Sequence, residues 1–269
     1  MSDPQEKRGK AGRPAGEAGE KPDEPQEKRG KTNDPQDEPE NRSADKERNT
    51  KMNLGKKLTL WGIGFMSVAM LFTVMVAGID VRAIGPKDSS VGLAGLNSAF
   101  ADAFGTNRVL YGFSEFGGYI AILTALAFAG VGVYQLIKRK KIFKVDYCIL
   151  SMGVLYIAVG IIYVVFDKFV INYRPVLEVD GTLESSFPSS HTLLAVCIFI
   201  PAIFALGRVM KDKKTAFVLS IVLAFLTVLV VLCRLFSGVH WLTDMIGGGF
   251  YSLALIFFYM GANLTYEYR

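Results

Sequence analysis

The chain has 269 residues, 51% of them hydrophobic, and a formal net charge of +5 at pH 7. Its mean hydropathy of +0.30 averages two unlike parts, which excludes a uniform soluble domain. Residues 1–57 are almost all charged, Pro, Gly, Gln, Asn or Ser, whereas from Leu58 onward long apolar runs follow one another.

The first part repeats PQEKRGK at 4–10 and 25–31, with a degenerate PQDE near Pro35. Such a tract cannot bury enough apolar surface to offset chain entropy, so residues 1–57 are expected to be a disordered tail. It is not a secretory signal, because the first apolar run starts too far from Met1.

Six apolar runs follow, near 58–79, 111–137, 147–166, 192–210, 216–236 and 245–266. About 20 apolar residues match the hydrocarbon thickness of a bilayer. The expected fold is therefore all-α: a polytopic membrane protein with six transmembrane helices in a domain over 58–269. The connection 80–107 contains a weakly amphipathic stretch, 91–104, which reads as a helix lying at the interface. Cys148, Cys197 and Cys233 lie in or at the end of apolar runs without metal-ligand spacing, so they read as small buried residues.

The basic residues of this part sit in short clusters between the runs, which argues for orientation signals rather than nucleic-acid binding. Lys51, Lys56 and Lys57 precede the first run; residues 138–141 follow the second; Arg208, Lys211, Lys213 and Lys214 follow the fourth. By the positive-inside rule all three clusters are cytoplasmic. Six spans then put both termini inside, and the loops 167–190 and 235–243 together on the outer face.

Those two loops hold nearly all the unusual polar residues: DKFVINYRP at 167–175, FPSSH at 187–191 and CRLFSGVHWLTD at 233–244. A lone cation at a span end is usually an interfacial anchor. Two Arg, one Lys, the chain's two His and an Asp on one face call for more. Arg offers planar paired donors to phosphate oxygens, and Lys a compact charge. The N–H groups of Ser189 and Ser190, at a helix start, also suit an anion. His240 and Asp244 are spaced i, i+4 and share one side of a helix. A carboxylate holding one ring nitrogen leaves the other to attack phosphorus, while His191 can protonate the departing oxygen and later activate water.

KFVINYRP, PSSH and CRLFSGVHWLTD resemble, in order, the three motifs of the type-2 phosphatidic acid phosphatase and vanadium haloperoxidase superfamily, K-x6-R-P, P-S-G-H and S-R-x5-H-x3-D. The resemblance covers about 111–266 and is closest to the membrane lipid phosphatases. It implies phosphate binding by Lys168, Arg174, Ser189, Ser190 and Arg234. It also implies a nucleophile at His240, an orienting carboxylate at Asp244 and a general acid at His191. Three positions depart from the pattern: Lys168 is one residue closer to Arg174, with Asp167 in the usual place; Ser190 replaces Gly; Cys233 replaces Ser.

The resemblance implies a phosphatase with no metal or cofactor, acting in the bilayer of a bacterial cell on a lipid phosphate or diphosphate. Undecaprenyl diphosphate, phosphatidylglycerol phosphate and phosphatidic acid all fit. Alternatives are vanadate-dependent halide oxidation, a non-catalytic lipid-binding or transport protein, and a zinc site on the two His and Asp244. A transporter favours ionisable groups at mid-membrane, and the nearby Arg and Lys oppose a dication.

Overall fold

The computed structural model describes residues 39–178 and 180–268, with side chains from Arg42 onward. Within them the six apolar runs form six long helices: α1 (Pro39–Gly78), α3 (Arg108–Arg139), α4 (Tyr147–Lys168), α5 (Ser190–Val209), α6 (Lys213–Phe236) and α7 (Leu242–Glu267). Each is long and apolar enough to cross a membrane. The chain is an integral membrane protein of the expected all-α class.

Helix α1 corrects one boundary. The polar tail expected to reach residue 57 is helical from Pro39, while residues 1–38 lie outside the described residues. Residues 43–57 hold four Lys and no Pro, and Lys loses little freedom in a helix. Glu47 and Lys51 pair one turn apart at 2.7 Å. Lys51 also donates to the Tyr268 hydroxyl at 3.0 Å, and Arg48 to the Tyr268 carbonyl at 2.9 Å. The end of α7 thus gives the polar part of α1 something to fold against.

Helix α5 is central and packs on α3, α4, α6 and α7. Over their apolar windows α5 and α7 are 56% buried, against 17–28% for the other four. The outer helices therefore turn rows of Leu, Ile, Val and Phe away from the protein, as a lipid-facing surface requires. α1 lies against α7 where side chains vanish: a Cβ on Gly261 would stand 2.8 Å from the Gly55 carbonyl oxygen. Further along the same seam Phe65 stacks on Phe257.

The two ends of the bundle differ. At one end Arg208 pairs with Glu267 at 2.8 Å, Tyr147 stacks on Tyr266, and Arg139 and Gln135 both bond Asp146. All three basic clusters collect there. At the other end, 80–107 forms a small cap: a two-residue antiparallel pair, β1 (Arg82–Ala83) with β2 (Ser90–Val91), then helix α2 (Ala94–Phe104). The amphipathic stretch expected over 91–104 is this helix, minus its first turn. Asn97 and Asn172 sew the cap to the bundle. Asn97 donates to Thr243 Oγ1 at 2.9 Å and accepts from the Thr243 N–H. Asn172 accepts from the Gly92 N–H at 3.0 Å.

Candidate active site

The capped end holds the polar constellation. A cavity of about 370 Å³ is lined there by Arg174, Ser190 and His240, with Asp167, Glu184 and Ser186. His240 precedes the first turn of α7, and Asp244 sits inside that turn, with both side chains almost wholly buried. Their separation is 3.6 Å from Nδ1 to Oδ2, beyond a good hydrogen bond. Asp244 is instead held by three donors: the Ser186 hydroxyl, the Trp241 N–H at 2.9 Å and Asn172 Nδ2 at 3.1 Å. The Trp241 bond closes the start of α7 as half of a capping box.

Burial disfavours a charge on His240, and the cations Arg234 and Arg174 and the His191 ring add to this. Together they hold its pKa well below the ordinary imidazole range. The ring is therefore neutral at physiological pH, the state a nitrogen nucleophile needs.

Arg234, near the end of α6, is fully buried. Its Nη1 donates to Glu115 at 2.7 Å and to Ser114 at 3.3 Å, and its guanidinium lies 5.2 Å from the Tyr111 ring. Arg174 follows α4 in the connecting loop. Its Nη1 pairs with Glu178 at 2.6 Å and its Nη2 with Glu184 at 3.0 Å. His191, in the first turn of α5, places Nε2 3.1 Å from Glu115 Oε1. The ring packs against α3 at Gly118, where a Cβ would come within 3.1 Å of it.

Buried polar atoms without a partner mark where a ligand belongs. Among the described residues nine side-chain atoms are in that state, and six of them belong to Arg174, His191, Arg234 and His240. They are Arg174 Nε, His191 Nδ1, Arg234 Nε and Nη2, and both nitrogens of His240. Guanidinium donors converging with two imidazoles match the oxygens and phosphorus of a phosphoryl group. No group of three or more His, Cys, Asp or Glu among the described residues is placed to hold a metal ion. The zinc alternative on His191, His240 and Asp244 therefore lacks a cluster.

Two expected phosphate ligands are placed differently. Lys168, the last residue of α4, is 73% exposed and pairs with Asp167 at 3.4 Å; it is Asp167, in the usual Lys position, that lines the cavity. One residue is about 100° of helix, and α4 continues through Lys168, so the one-residue shift turns Lys168 away. Ser189 is fully buried. Its N–H is taken by the Asp244 carbonyl at 3.0 Å, and its hydroxyl caps α5. Ser190 does line the cavity, at the first helical position where the N–H has no helical partner.

The sequence reading missed Glu115, Asn172 and Ser186, and the carboxylates on Arg174. Glu115 carried a usable signal: it is the lone charge inside the apolar run 111–137, and an ionisable group in a span is functional by default.

A second cavity, of about 620 Å³, lies between α3, α4 and α5. It is apolar, lined by Ile122, Leu126, Val159, Leu194 and Ile198 among others, and it shares Tyr163, Ser190 and Leu193 with the polar one. Ile122 and Leu126 are themselves exposed, so this groove opens sideways between the helices.

The PAP2 superfamily profile matches residues 111–266. Phosphatidylglycerophosphatase B of Bacillus subtilis is 24% identical over 200 residues, covering 72% of this chain and 91% of its own. The crystal structure of a transmembrane PAP2-type phosphatidylglycerolphosphate phosphatase from Bacillus subtilis superposes with a TM-score of 0.53. It covers 77% of this chain and 96% of its own at 19% identity, a likeness of fold. With six membrane helices and the three motifs gathered at one end, the chain belongs to the PAP2 superfamily, as a membrane lipid phosphatase.

Proposed function

We propose that the protein releases phosphate from a lipid phosphate or diphosphate at the outer face of a bacterial cell membrane, through a phosphohistidine on His240. The observation that carries this reading is the junction of the two cavities. Unpartnered nitrogens of Arg174 and His240 border a polar chamber, and an apolar groove open between helices meets it at Ser190 and Leu193. A phosphate head and an acyl or prenyl tail fit the two together. A halide has no use for the groove.

In the first step neutral His240 attacks phosphorus, and His191 gives its proton to the departing oxygen, so the dephosphorylated lipid leaves. In the second, His191 takes a proton from water as that water attacks the phosphohistidine, and phosphate departs with His240 restored. Arg174, Arg234 and the Ser190 N–H hold the equatorial oxygens and offset charge in the transition state. Asp244 fixes the turn that carries His240. The basic end of the bundle supports an outward site, because positive loops stay cytoplasmic. Both termini are then cytoplasmic.

The Bacillus relative's name makes phosphatidylglycerophosphate the first substrate to try. The purified protein is expected to release phosphate from it, from phosphatidic acid or from undecaprenyl diphosphate, with chelator present. No release from any of the three overturns the reading. So does full turnover in folded His240→Ala.

A further inference from the structure

Glu115 is a carboxylate in the second turn of α3, outside all three motifs, yet one of its oxygens meets two of their residues. Oε1 lies 2.7 Å from Arg234 Nη1 and 3.1 Å from His191 Nε2. Three helices, α3, α5 and α6, are joined at that atom. What it leaves open is equally specific. On Arg234 it occupies Nη1 and leaves Nε and Nη2 unpartnered; on His191 it faces Nε2 and leaves Nδ1 buried and unpartnered.

We propose that Glu115 is a positioning residue for the general acid, acting through His191 and Arg234 without touching the substrate. A carboxylate beside Nε2 keeps a proton on that nitrogen, so the proton that moves is the one on Nδ1. The imidazolium passes its Nδ1 proton to the departing oxygen and becomes the neutral ring with Nε2–H. It then takes a proton from water back onto Nδ1. The Nε2 proton stays in place through both steps, and Glu115 offsets the positive charge each time it returns. The same oxygen anchors Nη1 of Arg234, which holds the other two guanidinium nitrogens at fixed positions for phosphate.

This rests on the phosphatase reading above, so the test includes a measurement that needs no turnover. With only two histidines, His191 and His240, the ¹⁵N imidazole spectrum of the detergent-solubilised protein contains two rings, and His240→Ala assigns them. At alkaline pH the wild-type His191 is expected as a single tautomer with its proton on Nε2. Glu115→Gln is expected to shift it toward a mixture or to the Nδ1 form. In turnover, Glu115→Gln is expected to lower kcat by ~10- to 100-fold, in line with loss of a charged partner behind a reacting histidine, while KM does not rise. Glu115→Asp, which keeps the charge, is expected to recover part of that loss. Adding Glu115→Gln to His191→Ala is expected to cost clearly less than Glu115→Gln costs the wild type, because the share that runs through His191 is already gone and only the share through Arg234 remains. An unchanged His191 tautomer in Glu115→Gln overturns the proposal. So does kcat within twofold of wild type, or a full additive loss in the double variant. A wild type that hydrolyses no lipid phosphate sinks the phosphatase reading alone, and the tautomer still decides the role of Glu115.

Discussion

Nδ1 of His240 stands 3.6 Å from Oδ2 of Asp244, while three other donors close on that carboxylate. Asp244 therefore has two duties that substitution can separate. On the proposed mechanism, His240→Ala removes the attacking nitrogen and is expected to lower kcat by ~10³-fold or more, with melting temperature near that of wild type. Asp244→Asn sets an amide N–H₂ against the Ser186 and Trp241 donors or leaves one of them unpaired. It is expected to cost about 1–3 kcal/mol of stability as well as activity. Thermal melts in detergent beside phosphate release tell the two apart; a variant Asp244→Asn as stable as wild type contradicts the hub role.

Acid sensitivity follows from the buried ring. In the unfolded chain His240 titrates near 6.5, and in the fold well below that. Between the two values the unfolded chain binds a proton that the folded chain does not. Stability from this group is thus complete above about pH 6.5 and is lost as pH falls toward the folded value. The melting temperature of wild type is expected to fall on acidification more steeply than that of His240→Gln. Equal slopes show that another group controls acid lability.

Asp167 lines the cavity, whereas Lys168 is exposed. Lys168→Ala is expected to leave kcat/KM within about threefold, as for an exposed ion pair of little energetic weight. Asp167→Ala removes a negative charge from the cavity wall and is expected to strengthen inhibition by inorganic phosphate. A large loss in Lys168→Ala restores the motif assignment.

The apolar groove makes a prediction about chain length. Gly160 lines it, and a Cβ there meets nothing within 4 Å. Gly160→Trp is expected to fill the groove without disturbing the bundle. kcat/KM for a long-chain lipid phosphate should then drop at least ~10-fold, roughly the worth of two buried methylenes. A water-soluble short-chain phosphate should be little affected. Parallel losses on both substrates place the tail elsewhere.

The residues that could be read from the chain are those whose chemistry is carried by local spacing. Arg234, His240 and Asp244 flank one turn between helices, and Ser190 and His191 open another, so helical geometry alone brings them near one another. Hydropathy marks the six spans for the same reason, since each is a continuous segment. Glu115 is 119 positions from Arg234, and no local pattern joins them; only packing of α3 on α5 and α6 does. Lys168 shows the opposite failure. Motif spacing does not show the face it takes: α4 stays helical through Lys168 itself, which leaves that side chain exposed and Asp167 on the cavity wall.

Asn172 receives the Gly92 N–H from the cap on its oxygen and gives its own N–H₂ group to Thr243 and Asp244. One amide thus joins the cap to the first turn of α7, beside His240. A macrocycle or antibody fragment that grips the cap from solvent would pull on that amide. A ligand of that kind would reach the turn beside His240 without entering the polar cavity.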